Sequence, residues 1–279
     1  MLKRMWKLLC GLLLMAAAAT AHAETKLDGM SIYLLGSFVL DKHGEVQNLT
    51  MASSKSPEID AELLRNISGW KYHPVMLEGA VADVGVVIDV RLDATLRPDG
   101  QVEQVRIASV RHELKDRSGV ELPNPLSRTK AFYPLQYLKK NIEASVQLML
   151  QFGDDGYVQQ VGVSSLRLFP AGRQGLSDAQ KAAAARAFSE GAMSGMQGLK
   201  VDLSRLREYS KQCAESCPPF GKMVFFNLPP GNRYRSWRGY QDVVLPPLPW
   251  VKYENSTLGN QQIRLIDPAQ TDVLLRHIP

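Results

Sequence analysis

The chain has few of the features that mark an enzyme or a metal protein. It has 279 residues, and its glycines and serines form neither a Gly-x-Ser-x-Gly nucleophile motif nor a phosphate-binding loop. Asp154 and Asp155 are adjacent in a predicted turn, which suits a solvated hairpin tip better than a general acid and base. The histidines beyond residue 23 lack the short spacings of a metal site: His43, His73, His112 and His277. The sequence therefore predicts a non-enzymatic protein without a cofactor or metal.

The sequence also lacks a long apolar run. The run from Leu8 to Ala19 has about 12 residues, whereas a helix that spans a bilayer needs roughly 20. Basic residues precede the run and small residues follow it: Lys3, Arg4, Lys7, Ala21 and Ala23. This pattern predicts a cleavable secretory signal peptide over residues 1–23 and a periplasmic mature protein. The alternative is an uncleaved segment that anchors the chain in the inner membrane.

Neither sign of charge is in large excess once residues 1–23 are set aside. Those residues hold three basic groups and no acidic ones, so without them the net charge falls from +5 to +2. A chain this close to charge balance gives no support for a nucleic-acid partner, since such proteins usually carry a strong excess of positive charge. We therefore expect no nucleic-acid partner.

Cysteine is nearly absent from the expected mature chain. Only Cys213 and Cys217 remain, with three residues between them. Because an exported protein enters an oxidising compartment, this spacing is compatible with a local disulfide across a turn. A metal-binding pair is the alternative, but a second pair of ligands is lacking nearby.

A glycine-led pattern occurs three times at even spacing. Gly44, Gly100 and Gly156 lie 56 residues apart. Each follows a polar turn and precedes a Val at +2 and aliphatic residues at +5 and +7, with alternating apolar positions before the turn. A period of two is typical of a half-buried strand, and a glycine in such a turn supplies a positive φ. The pattern predicts three β-hairpins.

Helix signals follow the first hairpin and the third. Ser56 is a candidate N-cap with Pro57 after it, and the apolar residues that follow share one helix face: Ile59, Leu63, Ile67 and Trp70. Residues 84–96 then alternate as a strand that both closes this first unit and begins the middle hairpin. In a second unit we expect a short helix over 134–140 and an Ala-rich helix over 176–193 with Ser177 as N-cap, closed by a strand through Leu199, Val201 and Leu203.

The sequence predicts an α+β fold of two small units, each an antiparallel sheet of three strands or slightly more with one covering helix. The expected order is a signal peptide (1–23), a first domain (24–112), a polar linker (113–130), a second domain (131–205) and a C-terminal extension (206–279). The extension is predicted to be a tail packed on the domains, since it is rich in aromatic residues and proline: Pro218, Pro219, Pro229, Pro230, Pro246, Pro247 and Pro249.

The first unit resembles the C-terminal domain of TonB-type energy transducers. That family has a strand, a glycine turn, a strand, a Pro-Glu-(Leu/Ile)-Asp start of a helix, a Trp-basic-aromatic-x-Pro string and a final strand. Residues of this chain that match are Pro57, Asp60, Trp70, Lys71, Tyr72 and Pro74. Tyr133 and Pro134, with the hairpin around Gly156, resemble the start of the same domain in a second partial copy.

The resemblance implies binding rather than catalysis. Domains of this family offer a sheet edge to a short extended peptide from an outer-membrane transporter, and main-chain hydrogen bonds supply the affinity. We therefore expect a periplasmic adaptor whose partner is an envelope protein or a peptide strand. The motif residues and the turn glycines are expected to be mainly structural, with Trp70 in the core.

Three alternatives stay open. The chain is a membrane-anchored transducer if residues 1–23 are retained. It is a secreted enzyme or small-ligand binder if a deep pocket lies under the C-terminal extension, lined by Trp237, Tyr240 and Trp250. Exposed sheet edges also allow a homodimer.

Overall fold

The computed structural model describes residues 26–77, 80–115, 131–172, 174–201, 219–228, 236–251, 257–258 and 274–277. The predicted signal peptide and the cysteines Cys213 and Cys217 lie outside the described residues. The described residues form an α+β structure with a large sheet and few helices, which confirms the α+β part of the prediction.

The strands and helices follow one another along the chain as β1 (Gly29–Leu40), β2 (Val46–Met51), α1 (Pro57–Ser68), β3 (Met76–Leu77), β4 (Ala80–Val81), β5 (Val84–Leu96), β6 (Val102–Lys115), α2 (Leu135–Leu138), β7 (Glu143–Phe152), β8 (Val158–Phe169), α3 (Asp178–Ser194), β9 (Phe220–Phe226), β10 (Arg238–Val243), β11 (Thr257–Leu258) and β12 (Leu274–His277). One 10-stranded sheet has the order β11-β9-β7-β8-β10-β1-β5-β6-β12, with β2 also paired to β1, and β3 pairs with β4 separately.

The N-terminal half, residues 26–115, has the predicted hairpins and helix. β1 pairs with β2 and β5, and β5 continues into the hairpin with β6, as the alternating residues 84–96 predict. The three turn glycines adopt positive φ angles of 80°, 83° and 81° at Gly44, Gly100 and Gly156. Every second residue of β1 and β5 packs under α1, whose buried residues are Ile59, Leu63 and Ile67.

Helix α1 begins at Pro57 as predicted, but Ser56 does not cap it with its side chain. The carboxylate of Asp60 instead accepts hydrogen bonds from the backbone N–H of Ser54 at 2.8 Å and the hydroxyl of Ser53 at 2.7 Å. These bonds join the start of the helix to the end of β2, because an acidic residue in the first turn can reach back to the preceding loop.

The C-terminal half, residues 131–251, repeats the order strand, strand, helix, strand. β7 and β8 form the hairpin around Gly156, and α3 begins with a capping box in which Ser177 and Gln180 bond each other's backbone N–H. The helix buries Ala184, Ala185, Phe188 and Ala192 against β7 and β8.

The two halves also share one detail after the helix. In the first, the backbone N–H of Tyr72 donates to the carbonyl of Gly44 at 2.9 Å. In the second, the N–H of Val201 donates to the carbonyl of Gly156 at 3.0 Å. The chain therefore returns to the hairpin turn in the same way in both halves.

The structure corrects two expectations about the C-terminal region. Leu199 and Val201 do not form the closing strand of the second half; Lys200 makes an isolated bridge to Tyr157, and β9 pairs with β7 instead, while Leu203 lies outside the described residues. The predicted tail also supplies β10, which lies in the middle of the sheet. The prolines stand between these strands rather than within them, so they do not prevent pairing.

The sheet curls, so that strands far apart in its order come into contact. Tyr33 of β1 and Phe225 of β9 have ring centroids 5.3 Å apart, although three strands separate β1 from β9 in the sheet order. A flat sheet would place these strands roughly 19 Å apart, at about 4.8 Å per strand. The face opposite the helices is therefore concave. We call its buried side chains the inner layer: Ser31, Tyr33, Asp89, Asp93, Glu143, Ser145, Gln147, Met149, Arg167, Phe169 and Tyr240.

Candidate functional site

The motif residues of the first half lie in the core or at chain turns. Trp70 and Tyr72 are buried with 2% and 0% exposure, and the Trp70 Nε1–H donates to Asn66 Oδ1 at 3.0 Å. Lys71 is exposed and forms an ion pair with Glu45 on the surface. Pro74 is exposed after the buried Tyr72. These side chains hold the helix against the hairpin and do not converge on a pocket.

The motif residues of the second half lie beside a cleft. Pro134 immediately precedes α2, and the ring of Tyr133 packs edge-on against Phe188 of α3 and Phe226 of β9. The Tyr133 hydroxyl donates to the carbonyl of Ile142, which fixes the ring between α2 and β7. Tyr133 is the one motif residue that lines the cleft.

The cleft has a volume of about 290 Å³ and follows strand β9. One wall is β9 itself, and the other is the extended segment that leads into α2. That segment is held to α3, since the backbone N–H of Phe132 donates to the carbonyl of Gly191 at 3.0 Å. The lining residues are Ala131, Tyr133, Lys222, Met223, Val224, Phe225, Phe226 and Asn227.

A basic side chain, Lys222, lies at one end of the cleft. Burial, together with the nearby positive charge of Arg111, lowers the pKa of Lys222 to about 8. Arg111 lies 5.5 Å from the ring centre of Phe225 and is ion-paired with Asp89 at 2.6 Å. At the other end, burial and the negative charge of Glu143 raise the pKa of Tyr133 to about 12. The exposed lining of the cleft is thus more polar than apolar, although aromatic and aliphatic side chains contribute to it.

Among the described residues, the outer side of β9 is covered much less than the outer side of the corresponding strand in the first half. There β5 pairs with β1 on one side and with β6 on the other, over residues 85–96. β9 pairs with β7 in the same way, but within the described part of the chain only Thr257 and Leu258 of β11 pair with its other side, next to Phe220 and Gly221. The cleft lies along the rest of that side.

The residues proposed for a pocket under the C-terminal extension do not line this cleft. Tyr240 is buried in the inner layer, with Arg167 Cζ 3.5 Å from its ring centre. Trp237 packs on the core of the first half, and Trp250 is half-buried. Within the described ranges, His, Cys, Asp and Glu form no group of three that can hold a metal ion. None of the helices in those ranges is long and apolar enough to cross a membrane.

Sequence reasoning missed the charged centre of the inner layer. Arg167 of β8 contacts Asp93 of β5 at 2.7 Å and Asp242 of β10 at 2.7 Å. Burial by itself would raise the pKa of Asp93, but the hydrogen bond from Arg167 and the charges of Arg91 and Arg167 more than offset this, so its pKa is lowered. Asp89, Arg91 and Asp93 alternate with apolar residues in the sequence, which indicates a polar strand face. Arg167, the partner of Asp93 on β8, lies 74 residues away along the chain.

Comparison of the chain with protein-family models, with curated proteins and with solved structures finds no match. The function is therefore argued from the geometry of the cleft and of the sheet beside it.

Proposed function

We propose that this protein is a non-enzymatic binding protein that engages an extended peptide by β-augmentation along the outer side of β9. The single observation that supports this is the cleft of about 290 Å³ beside a strand whose counterpart, β5, is fully paired. A peptide in the cleft adds a strand where β6 lies in the first half. Main-chain hydrogen bonds supply the affinity, and the cleft receives alternate side chains.

The proposal includes two units similar to the C-terminal domain of TonB-type transducers. It is supported by the shared order of strand, strand, helix and strand, and by the matching bonds from Tyr72 to Gly44 and from Val201 to Gly156. It is also supported by the position of Tyr133 beside the cleft. On this proposal the protein works in the periplasm, and its partner is an extended segment of an outer-membrane transporter or another envelope protein.

The expected affinity is modest. A peptide strand of four or five residues that pairs with β9 forms about four main-chain hydrogen bonds, each contributing about 0.5–1.5 kcal/mol net. Apolar contacts with Tyr133, Val224 and Phe226 add to this, and ordering of the free peptide opposes it. We therefore expect dissociation constants in the micromolar range, about −8 kcal/mol.

The test is a binding screen with the full chain. Synthetic peptides that represent the N-terminal extended segments of outer-membrane transporters are titrated, and binding is followed by fluorescence anisotropy and by amide chemical shifts. We expect a saturable subset of peptides, with the largest shifts at Met223–Asn227 and slower amide exchange in β9. Shifts confined to other strands, or the absence of saturable binding, would falsify the proposal.

A matched pair of variants locates the peptide. Ala131→Trp fills the cleft from the segment before α2 and is expected to weaken binding at least about tenfold, since a large ring occupies the peptide's place. Gln160→Trp places the same ring on the exposed face of β8 and is expected to leave binding unchanged. Equal affinities of the two variants contradict the assignment to the cleft.

A further inference from the structure

Strand β10 joins the two halves by two short ladders. Its first three residues pair with β1 through Met30 and its neighbours, and its last three pair with β8. Each ladder has three residue pairs, whereas β1 pairs with β5 over residues 30–40. β10 fills the edge of β1 that β2 leaves uncovered, because β2 pairs only with residues 36–40. It is the most weakly paired connection in the middle of the sheet.

Although the ladders are short, specific side-chain contacts hold β10 in place. Arg167 donates to both carboxylate oxygens of Asp242, from Nε at 2.7 Å and from Nη2 at 3.0 Å. The same guanidinium lies over the ring of Tyr240, 3.5 Å from its centre. A guanidinium that binds both carboxylate oxygens and stacks on an aromatic ring recognises a strand in which an aromatic residue and a carboxylate are two positions apart.

The residue between them is also bound. The side chain of Gln241 accepts from the backbone N–H of Leu176 at 2.6 Å and donates to the carbonyls of Lys26 at 3.1 Å and Leu176 at 3.2 Å. The backbone N–H of Asp242 donates to Asp28 Oδ2 at 2.6 Å. The site around β10 therefore consists of the ends of β1 and β8 with Asp28, Arg167 and Leu176, and we call it the β10 groove.

We propose that the β10 groove is a second strand-binding site, which the chain's own strand closes and which an extended partner segment with the pattern aromatic-x-acidic occupies in its place. The chemistry of the partner is argued from β10 itself, whose Tyr240 and Asp242 show what the groove accepts. Charge complementarity supports the same partner, since Arg167 is buried between the carboxylates of Asp93 and Asp242.

Opening the groove exposes the margin of the second core but not its centre. No residue of β10 belongs to the buried part of the cores under α1 and α3, although Val243 packs against the second core, and Tyr240 belongs to a small buried aromatic group with Tyr33 and Phe169. The chain directly after the strand is solvated, as Val244 is 97% exposed. Release of β10 is therefore a local opening, which precedes global unfolding in proteins with weakly paired segments.

The experiment uses the full chain and a labelled synthetic peptide with the sequence of residues 236–245. In the wild-type chain, β10 competes at a high effective concentration, so the peptide binds weakly. Asp242→Asn in the chain weakens the internal strand, and we expect the peptide to bind this variant about tenfold more tightly, because a charge-assisted bond is lost only from the competitor. Glu190→Gln, on the exposed face of α3, is the control that matches wild type.

Changes in the peptide keep the test independent of protein folding. A peptide with Asn in place of Asp242 is expected to bind the Asp242→Asn chain about tenfold more weakly than the unchanged peptide. Equal binding of the peptide to the wild-type and Asp242→Asn chains, or no binding to either at about 1 mM, overturns the proposal. The Ala131→Trp variant separates this site from the cleft, since it blocks only the cleft and leaves binding of this peptide unchanged.

Discussion

The two halves of the molecule have the same local order of elements but complete their sheets differently. In the first half, β2 ends at Met51, and the hairpin partner of β5 follows directly along the chain as β6. In the second half, β8 runs on to Phe169, and β9 comes from a distant segment with no adjacent hairpin strand in the described residues. Hairpins and helices are thus specified locally, whereas the covering of sheet edges depends on which distant strand is available.

The difference in edges also separates the two proposed sites. The edge left by the short β2 is filled by β10, and this creates the groove between the halves. Among the described residues β9 has no hairpin partner, and the cleft lies at that edge. Each site therefore lies where the described strands of one half cover an edge less than those of the other half.

The largest expected effect tests whether the halves unfold together. Phe188 is fully buried in the second core, and Phe188→Ala is expected to lower the free energy of unfolding by about 3–5 kcal/mol. Because one sheet joins the halves, the unfolding midpoint reported by the Trp70 resonances of the first half is expected to fall to a lower urea concentration together with that of the second half. The measurement is urea unfolding followed by circular dichroism and by NMR.

Glu190→Ala, on the exposed face of the same helix, is the control and is expected to change stability by less than about 0.5 kcal/mol. A first half that keeps its wild-type midpoint in Phe188→Ala would contradict cooperative unfolding and support two independent domains.

A smaller loss of stability is expected from a glycine-to-alanine substitution, which can be compared in two turns of the same type. Gly44 and Gly100 both have φ near +80°, so an alanine at either position costs about 1–2 kcal/mol of backbone strain. At Gly44 a Cβ would also lie 1.9 Å from the carbonyl oxygen of Tyr72, whereas at Gly100 nothing lies within 4 Å. Gly44→Ala is therefore expected to be the more destabilising variant by at least about 1 kcal/mol, measured by chemical denaturation. Equal losses of stability in the two variants would show that the backbone at Tyr72 moves away from the added Cβ at little cost.

The smallest effect is a pH dependence that originates in the first half. His112 Nε2 lies 2.9 Å from the Tyr72 hydroxyl, and burial lowers the pKa of His112 to about 4. Since the unfolded histidine takes up its proton near pH 6.5, the folded state loses stability as the pH falls from about 6.5 to about 4. The imidazole is half-buried, so we expect a loss of about 1–2 kcal/mol rather than the full value of such a shift.

The measurement is unfolding of wild type and His112→Gln between pH 4 and 7, at constant ionic strength. The variant is expected to lose less stability than wild type over this interval. Identical pH profiles for both chains would rule out His112 as the titrating group.

Much of the local structure is predictable from the sequence. The three glycine turns, the helix beginning at Pro57, the capped helix after Ser177 and the strand shared by two hairpins follow from a period of two, a period of 3.6 and turn chemistry. The family resemblance also points to Tyr133, and this residue lines the cleft.

The rest of the candidate site is not predictable in the same way. Phe220, Val224 and Phe226 alternate on β9, but the prolines on both sides are typical of a tail. No local signal marks Arg167, because a single arginine in a strand is ordinary until its partners are known. Its contacts with Asp93 and Asp242 join residues 74 and 75 positions apart.

The sequence by itself determined where the chain turns, which residues begin the helices and which side of each strand is apolar. These properties depend on backbone sterics and on neighbours within a few positions. Only the tertiary structure decided that β9 and β10 enter the sheet, that its inner face holds a charged centre and that two edges differ in cover. Strand pairing joins residues far apart in sequence, and the choice of partner depends on which edge the rest of the fold leaves open.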